Sequence, residues 1–240
     1  MSLEKKRMVR NVRSALRSVQ QALFPVYNSK SLIITGWPAS GSTFIYQAAR
    51  MLNIDVHKSH GKRKKTMNFT LFTFRDPRDI ICSQAKRIFK MKWDQNDAET
   101  ALLNALDLFV NEKFELALFQ SARMKNVFLI RYEDYFLGNE HLLVDFIADN
   151  FLITLTEQKR NEILQGASID ANIELSKKLE NFYAYDRDSH IHGNHITNKG
   201  LPGAWKKNFT PLVTKRVKEN IGKLLIDLGY ETNYDWSPDF

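Results

Sequence analysis

Apolar positions along the chain fall into short β-branched runs separated by longer stretches of helical spacing. Leu32-Ile33-Ile34-Thr35 predicts a buried strand. Phe44, Ile45, Ala48, Met51 and Leu52 then recur at helical spacing, which predicts a helix opening at Ser42-Thr43. Residues 53–57 predict a second strand. The run 67–74, MNFTLFTF, predicts a third, apolar on both faces as a central parallel strand must be. Pro77 suits the first turn of a following helix that carries Ile80, Ile81, Ser83, Gln84 and Arg87. Residues 97–123 predict one long helix, and NVFLIR at 126–131 a fourth strand. Helices are expected at 139–150 and 156–166, a weaker pattern at 167–180, and a long polar loop at 181–204. Thr210-Pro211 reads as a cap followed by proline at the first helical position, with that last helix stopping at Gly229. Residues 3–24 carry Met8, Val12, Leu16, Val19 and Leu23 on one face and six Lys or Arg around them. This basic amphipathic helix, within residues 1–28, is expected to lay its stripe on the domain, a membrane surface being the alternative.

Strands alternating with helices imply one α/β domain with a central parallel sheet flanked by helices. Ligands of such sheets bind at the carboxyl ends of the strands. Between the first strand and helix, Gly36 and Gly41 with Ser42-Thr43 follow the spacing of a phosphate loop, G-x-x-x-x-G-K-[ST]. Glycines let N–H groups turn inward, and the helix N-terminus offers its dipole to an anion. Ser42 stands where a nucleoside triphosphatase places lysine, so the loop suits a phosphate but not Mg-ATP. The other candidate groups at strand ends are Lys58 to His60, Arg75, and Tyr132 to Asp134.

Composition narrows the picture modestly. At 240 residues and 43% hydrophobic, the chain can bury a sizeable core. Net charge of +8 favours anionic ligands. The single cysteine, Cys82, excludes an intrachain disulfide and fits a reducing compartment, so a cytoplasmic location is expected. No run of 18 apolar residues predicts a membrane span, and no apolar signal-peptide core is evident.

Four segments, in order, resemble the sulfotransferases that use 3′-phosphoadenosine 5′-phosphosulfate (PAPS). PASGSTF, residues 38–44, resembles that family's 5′-phosphosulfate loop, P-K-S-G-T-T-W. Lys58-Ser59-His60 is similar to its K-T-H segment. Arg75 and Ser83 are similar to its 3′-phosphate segment. Asn198-Lys199-Gly200 with LPGAWKKNFT resembles the stretch that closes over the nucleotide. Beside these four, Tyr132-Glu133-Asp134 also resembles a recurring Y-E-D after the fourth strand. The resemblance implies a phosphate-loop topology and sulfuryl transfer from PAPS to a hydroxyl or amine. It implies nucleotide contacts from Pro38, Ala39, Ser40, Gly41, Ser42, Thr43, Phe44, Arg75, Ser83, Asn198, Lys199 and Gly200. It also implies His60 as the base and Lys58 as a donor to the sulfuryl oxygens, with no metal required. Tyr132 to Asp134 are expected to brace loops, since carboxylates repel a polyanion.

Three positions depart from the family pattern: Ala39 replaces its loop lysine, Phe44 its adenine-stacking tryptophan, and Asn198 an arginine. Ala39 keeps a second reading open, a non-catalytic binder of PAPS or adenosine 3′,5′-bisphosphate. A small-molecule kinase is a third, opposed by Ser42. The acceptor is expected to be a small molecule or glycan, with Lys62 to Lys65 as the feature favouring an anionic one; no nucleic acid is expected. His190, His192 and His195 lack a supporting ligand pattern and are read as loop residues.

Overall fold

A parallel strand has no polar face to give to water, and FTLFTF in this chain is buried at every residue. The computed structural model describes residues 31–59, 69–92, 98–181, 183–193, 196 and 198–239. The expected N-terminal helix, the basic run Lys62 to Lys65, His60 and His195 lie outside the described residues. Four strands form one sheet: β1 (Ser31–Gly36), β2 (Asp55–Lys58), β3 (Phe69–Phe74) and β4 (Val127–Arg131). Their order is β2-β1-β3-β4 and every pairing is parallel.

Alternation along β3 sends Phe72 and Phe74 to one core and Phe69 and Leu71 to the other. On the first face lie α2 (Pro77–Lys92), α3 (Ala98–Asn111), α4 (Phe114–Ser121) and, beyond α9 (Ala204–Asn208), α10 (Pro211–Asp227). On the second lie α1 (Ser42–Met51), α6 (Glu140–Asn150) and α7 (Glu157–Gly166). A one-turn α5 (Tyr132–Tyr135) follows β4. The chain leaves β1 toward β2 on one side and passes from β3 to β4 on the other. The order therefore reverses between β1 and β3, and a crevice opens at their carboxyl ends.

Local chemistry sets most boundaries. Thr156 and Thr210 cap α7 and α10 by accepting from Lys159 N and Val213 N, and Pro211 begins α10. Gly229, at φ +76°, ends it. The segment 167–180 is more regular than its pattern suggests: Ser168 accepts from Ala171 N and caps α8 (Ile169–Lys177). The single helix expected over 97–123 is two. Lys113 adopts a left-handed conformation between α3 and α4, which brings the Phe114 ring to 5.2 Å from Phe109 and sets the Phe114 carbonyl 2.9 Å from Trp37 Nε1. Within 181–204, β5 (Tyr185–Asp186) and β6 (Ile191–His192) make a small antiparallel hairpin, and Asn198–Gly200 a 3₁₀ turn.

Gly36 has the closest backbone approach. It sits at φ +138°, and a Cβ there would lie 2.1 Å from the Thr73 carbonyl oxygen. Gly36→Ala must both adopt a strained backbone and push β1 off β3, so it should cost at least about 3 kcal/mol in urea unfolding. A loss below about 1 kcal/mol would show that the strand junction yields easily.

Candidate active site

The turn after β1 is shaped by β3. Trp37 N donates to Thr73 O at 2.8 Å, and the Trp37 indole is fully buried against the edges of Phe74 and Phe109. The Ser40 hydroxyl donates to Trp37 O at 2.5 Å and pairs with Thr73 Oγ1 at 2.6 Å. That hydroxyl is thus used by the loop itself, and Ser40 has its main chain left to offer a ligand. Ala39 and Gly41 take positive φ, +55° and +88°, the alternation that makes backbone N–H groups converge. Helix α1 starts at Ser42 with no side-chain cap. Its first-turn N–H groups and its dipole face the cavity that Pro38 to Phe44 line.

Lys58, last residue of β2, reaches this turn and donates from Nζ to Thr43 Oγ1 at 2.8 Å. Burial pulls its ammonium down to about 8. A cation therefore stands over the first turn of α1 although the loop carries alanine at position 39.

Arg75 closes the opposite wall. It is buried, with its guanidinium over the Tyr132 ring at 4.4 Å and an ion pair to Asp79 at 3.3 Å. Its Nη2 donates to the carbonyls of Gly200 and Leu201, at 3.1 and 2.8 Å, while Tyr132 OH also donates to Gly200 O at 2.8 Å. Asp79 in turn accepts from Gly203 N at 2.9 Å. Burial raises the Asp79 carboxyl, and Arg75 works against that rise. Arg75 Nε is buried with no hydrogen-bond partner.

The expected phosphate contacts are only partly brought together. Arg75, Ser83 and Gly200 line the cavity. Lys199 does not: it sits at φ +49° in the 3₁₀ turn with an exposed side chain, because the Arg75 and Tyr132 bonds draw the 200–201 carbonyls onto the site and leave 199 outside. Arg87, one helical turn beyond Ser83 on α2, lines the same wall, and burial lowers its guanidinium. Its i+4 relation to Ser83 was the available signal. Phe136 is a second unexpected wall residue. It stacks on Tyr132 at 4.6 Å, meets Phe44 edge-on at 5.5 Å, and lies where a Cβ on Gly41 would come within 2.3 Å of its ring. Glu133, by contrast, faces the scaffold, accepting from Asp76 N and Tyr230 OH at 2.9 Å each.

These walls enclose about 680 Å³, room for a nucleotide and part of a second molecule. The chain matches a family model described as a sulfotransferase domain over residues 70–229. The chain belongs to the sulfotransferase family. The match takes in Arg75, Ser83 and the closing segment, and begins after the 36–44 loop and Lys58. The sulfotransferase fold is similar to that of mouse sulfotransferase SULT7A1 complexed with PAP, with a TM-score of 0.61, 14% identity, and 82% of this chain and 84% of that chain covered. It is also similar to retinol dehydratase in a complex with retinol and PAP, at TM-score 0.60 and 13% identity, with 90% and 86% covered. No curated protein gives a significant sequence match. No helix among the described residues is long and apolar enough to cross a membrane. Nor do three or more His, Cys, Asp or Glu side chains among them form a group that could hold a metal ion.

A lysine near 8 would make the binding of an anion beside it pH-dependent. Only the ammonium form attracts a phosphate, so affinity is full below the free pKa and falls above it. The dissociation constant for sulfate, an anion that does not titrate in this range, should rise about tenfold from about pH 7 to about pH 9, and Lys58→Met should flatten the profile. Calorimetric titration across that range checks it; a wild-type profile as flat as the variant's would remove Lys58 from the anion site.

Proposed function

We propose that this sulfotransferase moves the sulfuryl group of PAPS to a hydroxyl or amine on a small-molecule or glycan acceptor. The observation that carries the reading is convergence on one cavity of two cationic walls. The uncapped N-terminus of α1 and Lys58 form one; Arg75, Ser83 and Arg87 form the other. The residues present suit such a nucleotide. Arg75 keeps a buried Nε without a partner, and Phe44 and Phe136 put aromatic rings on the cavity wall beside a base. PAPS would supply the activated sulfuryl group, with its adenosine bisphosphate as leaving group. Lys58 would donate to the sulfuryl oxygens or to the bridging oxygen as charge develops there. His60, two residues past Lys58 in Lys58-Ser59-His60, would take the acceptor's proton; this role rests on the sequence resemblance. The retinol bound in the dehydratase neighbour supports an acceptor of small-molecule size.

Adenosine 3′,5′-bisphosphate should bind more than tenfold tighter than adenosine 5′-monophosphate. Charge-assisted contacts from Arg75 and Arg87 to a second phosphate are worth about 1.5–3 kcal/mol each. Equal affinities in calorimetry would sink the nucleotide assignment.

Ala39 favours a second reading, a binder that does not turn over. The two readings separate on paired variants. A preorganised cation at the leaving oxygen contributes about 2.7–4 kcal/mol. With Lys58 in that role, Lys58→Ala should slow transfer more than about a hundredfold, while Ala39→Lys gains little. A faster Ala39→Lys enzyme would show the position to be undersupplied. Nucleotide binding without transfer to any of a broad acceptor panel, by the parent or either variant, would favour the binder.

A further inference from the structure

Two buried amides tie opposite walls of the cavity together. Gln47 of α1 is 8% exposed and Asn172 of α8 is 5% exposed. Gln47 Nε2 donates to Asn172 Oδ1 at 2.7 Å, and Asn172 Nδ2 donates back to Gln47 Oε1 at 3.0 Å. Both amides also hold main chain. Gln47 Nε2 donates to Ser189 O at 2.9 Å, and Asn172 Nδ2 shares its hydrogens with the carbonyls of Ala167 and Ser168 at 3.0 Å each. Apolar contacts fix only proximity, whereas a reciprocal amide pair fixes distance and direction, and breaking one side leaves the other buried and unsatisfied.

The elements joined are those that enclose the cavity. Helix α1 begins at the anion-binding loop and carries Phe44 one turn before Gln47. Ala167, Ser168 and Ile169, at the junction of α7 and α8, line the same cavity. Ile169 lies beside the Gly200 turn: a Cβ on Gly200 would meet Ile169 Cδ1 at 2.8 Å and Tyr132 Oη at 2.6 Å. Tyr132 stacks on Phe136, and Phe136 meets Phe44 edge-on. Contacts therefore run from α1 through the rings and Gly200 to the 167–169 junction. The Gln47–Asn172 pair closes that circuit, between residues 125 apart in sequence.

We propose that Gln47 and Asn172 are positioning residues for the nucleotide: as a pair they set the width of the slot between α1 and the 167–169 junction that receives the base, while an anion binds the loop before α1 without their help. The inference rests on the nucleotide reading above and names the residues that act through its walls. A planar base needs walls at contact distance on both sides. A wall that recedes by about 0.5–1 Å forfeits about a quarter to a half of each dispersion contact. The anion loop does not share that dependence, because Thr73 braces it from β3 through Trp37 N and the Ser40 hydroxyl.

The experiment is calorimetry on the full chain with two ligands, adenosine 3′,5′-bisphosphate and inorganic sulfate, an anion with no base. Failure of the wild type to bind the bisphosphate overturns the nucleotide reading, and this proposal with it. Gln47→Met and Asn172→Leu each remove one amide at nearly constant volume. Each should weaken the bisphosphate about tenfold and leave sulfate affinity within about threefold of the wild type. The double variant should lose about as much as either single variant, because removing the second amide also removes the unmet hydrogen bonds left by the first. A pair that only held the fold together would weaken both ligands alike when broken. That result, unchanged bisphosphate affinity in the single variants, or losses that multiply in the double variant overturns the positioning role alone and leaves the nucleotide reading standing.

Discussion

Thr73 joins the sheet to the site. Its carbonyl accepts from Trp37 N, its hydroxyl pairs with Ser40, and its backbone sits so close to Gly36 that no side chain fits between. The loop after β1 is consequently a continuation of the sheet's edge. Anion binding by main-chain N–H groups needs that rigidity, because a flexible turn would have to be ordered at the moment of binding. The fully buried Trp37 anchors the same turn from below, through its bond to the Phe114 carbonyl at the α3–α4 break. The left-handed Lys113 that makes 97–123 two helices thereby bears on the loop after β1 through a bond between residues 77 apart in sequence.

A second layer of buried charge supports the far wall. Arg78 lies over Trp205 at 3.8 Å and Trp236 at 4.8 Å and pairs with Asp76 at 2.7 Å and with Glu231. Burial disfavours its charge, but the hydrogen bonds and field of Asp76 and Glu231 outweigh that and raise it. Such a pair adds little net stability over apolar packing, while removing one partner costs about 3–5 kcal/mol. Its effect is geometric: the start of α2, the closing segment and the C-terminal residues are locked in one arrangement. Arg75 and Asp79 extend that lock to the carbonyls and N–H groups of residues 200–203.

Much of this was legible in the residues. Apolar runs and glycine breaks mark the four strands, and Thr210-Pro211 and Gly229 mark both ends of α10, because these signals act within a few residues of themselves. Misreadings arise where distant contacts decide. Nothing local in Asn111-Glu112-Lys113 announces a break; Phe109 and Trp37 impose it. Distant contacts also place two of the expected nucleotide contacts: the Arg75 and Tyr132 bonds to Gly200 leave the Lys199 side chain exposed, and Thr73 pairs with the Ser40 hydroxyl. Arg87 and Phe136 become wall residues only once α2 and α5 are placed. The Lys58 bond to Thr43 depends on the β1–β2 register, which pairs Ile34 with Lys58.

Thr73 and Arg75 stand two residues apart at the end of β3. One holds the loop before α1, the other the segment around Gly200. Two residues of extended chain span about 6.6 Å. The gap between the two cationic walls is thus gauged by covalent geometry along one strand, like the jaws of a caliper mounted on a single bar. Any shift of β3 as a body carries the two attachment points, Thr73 and Arg75, together.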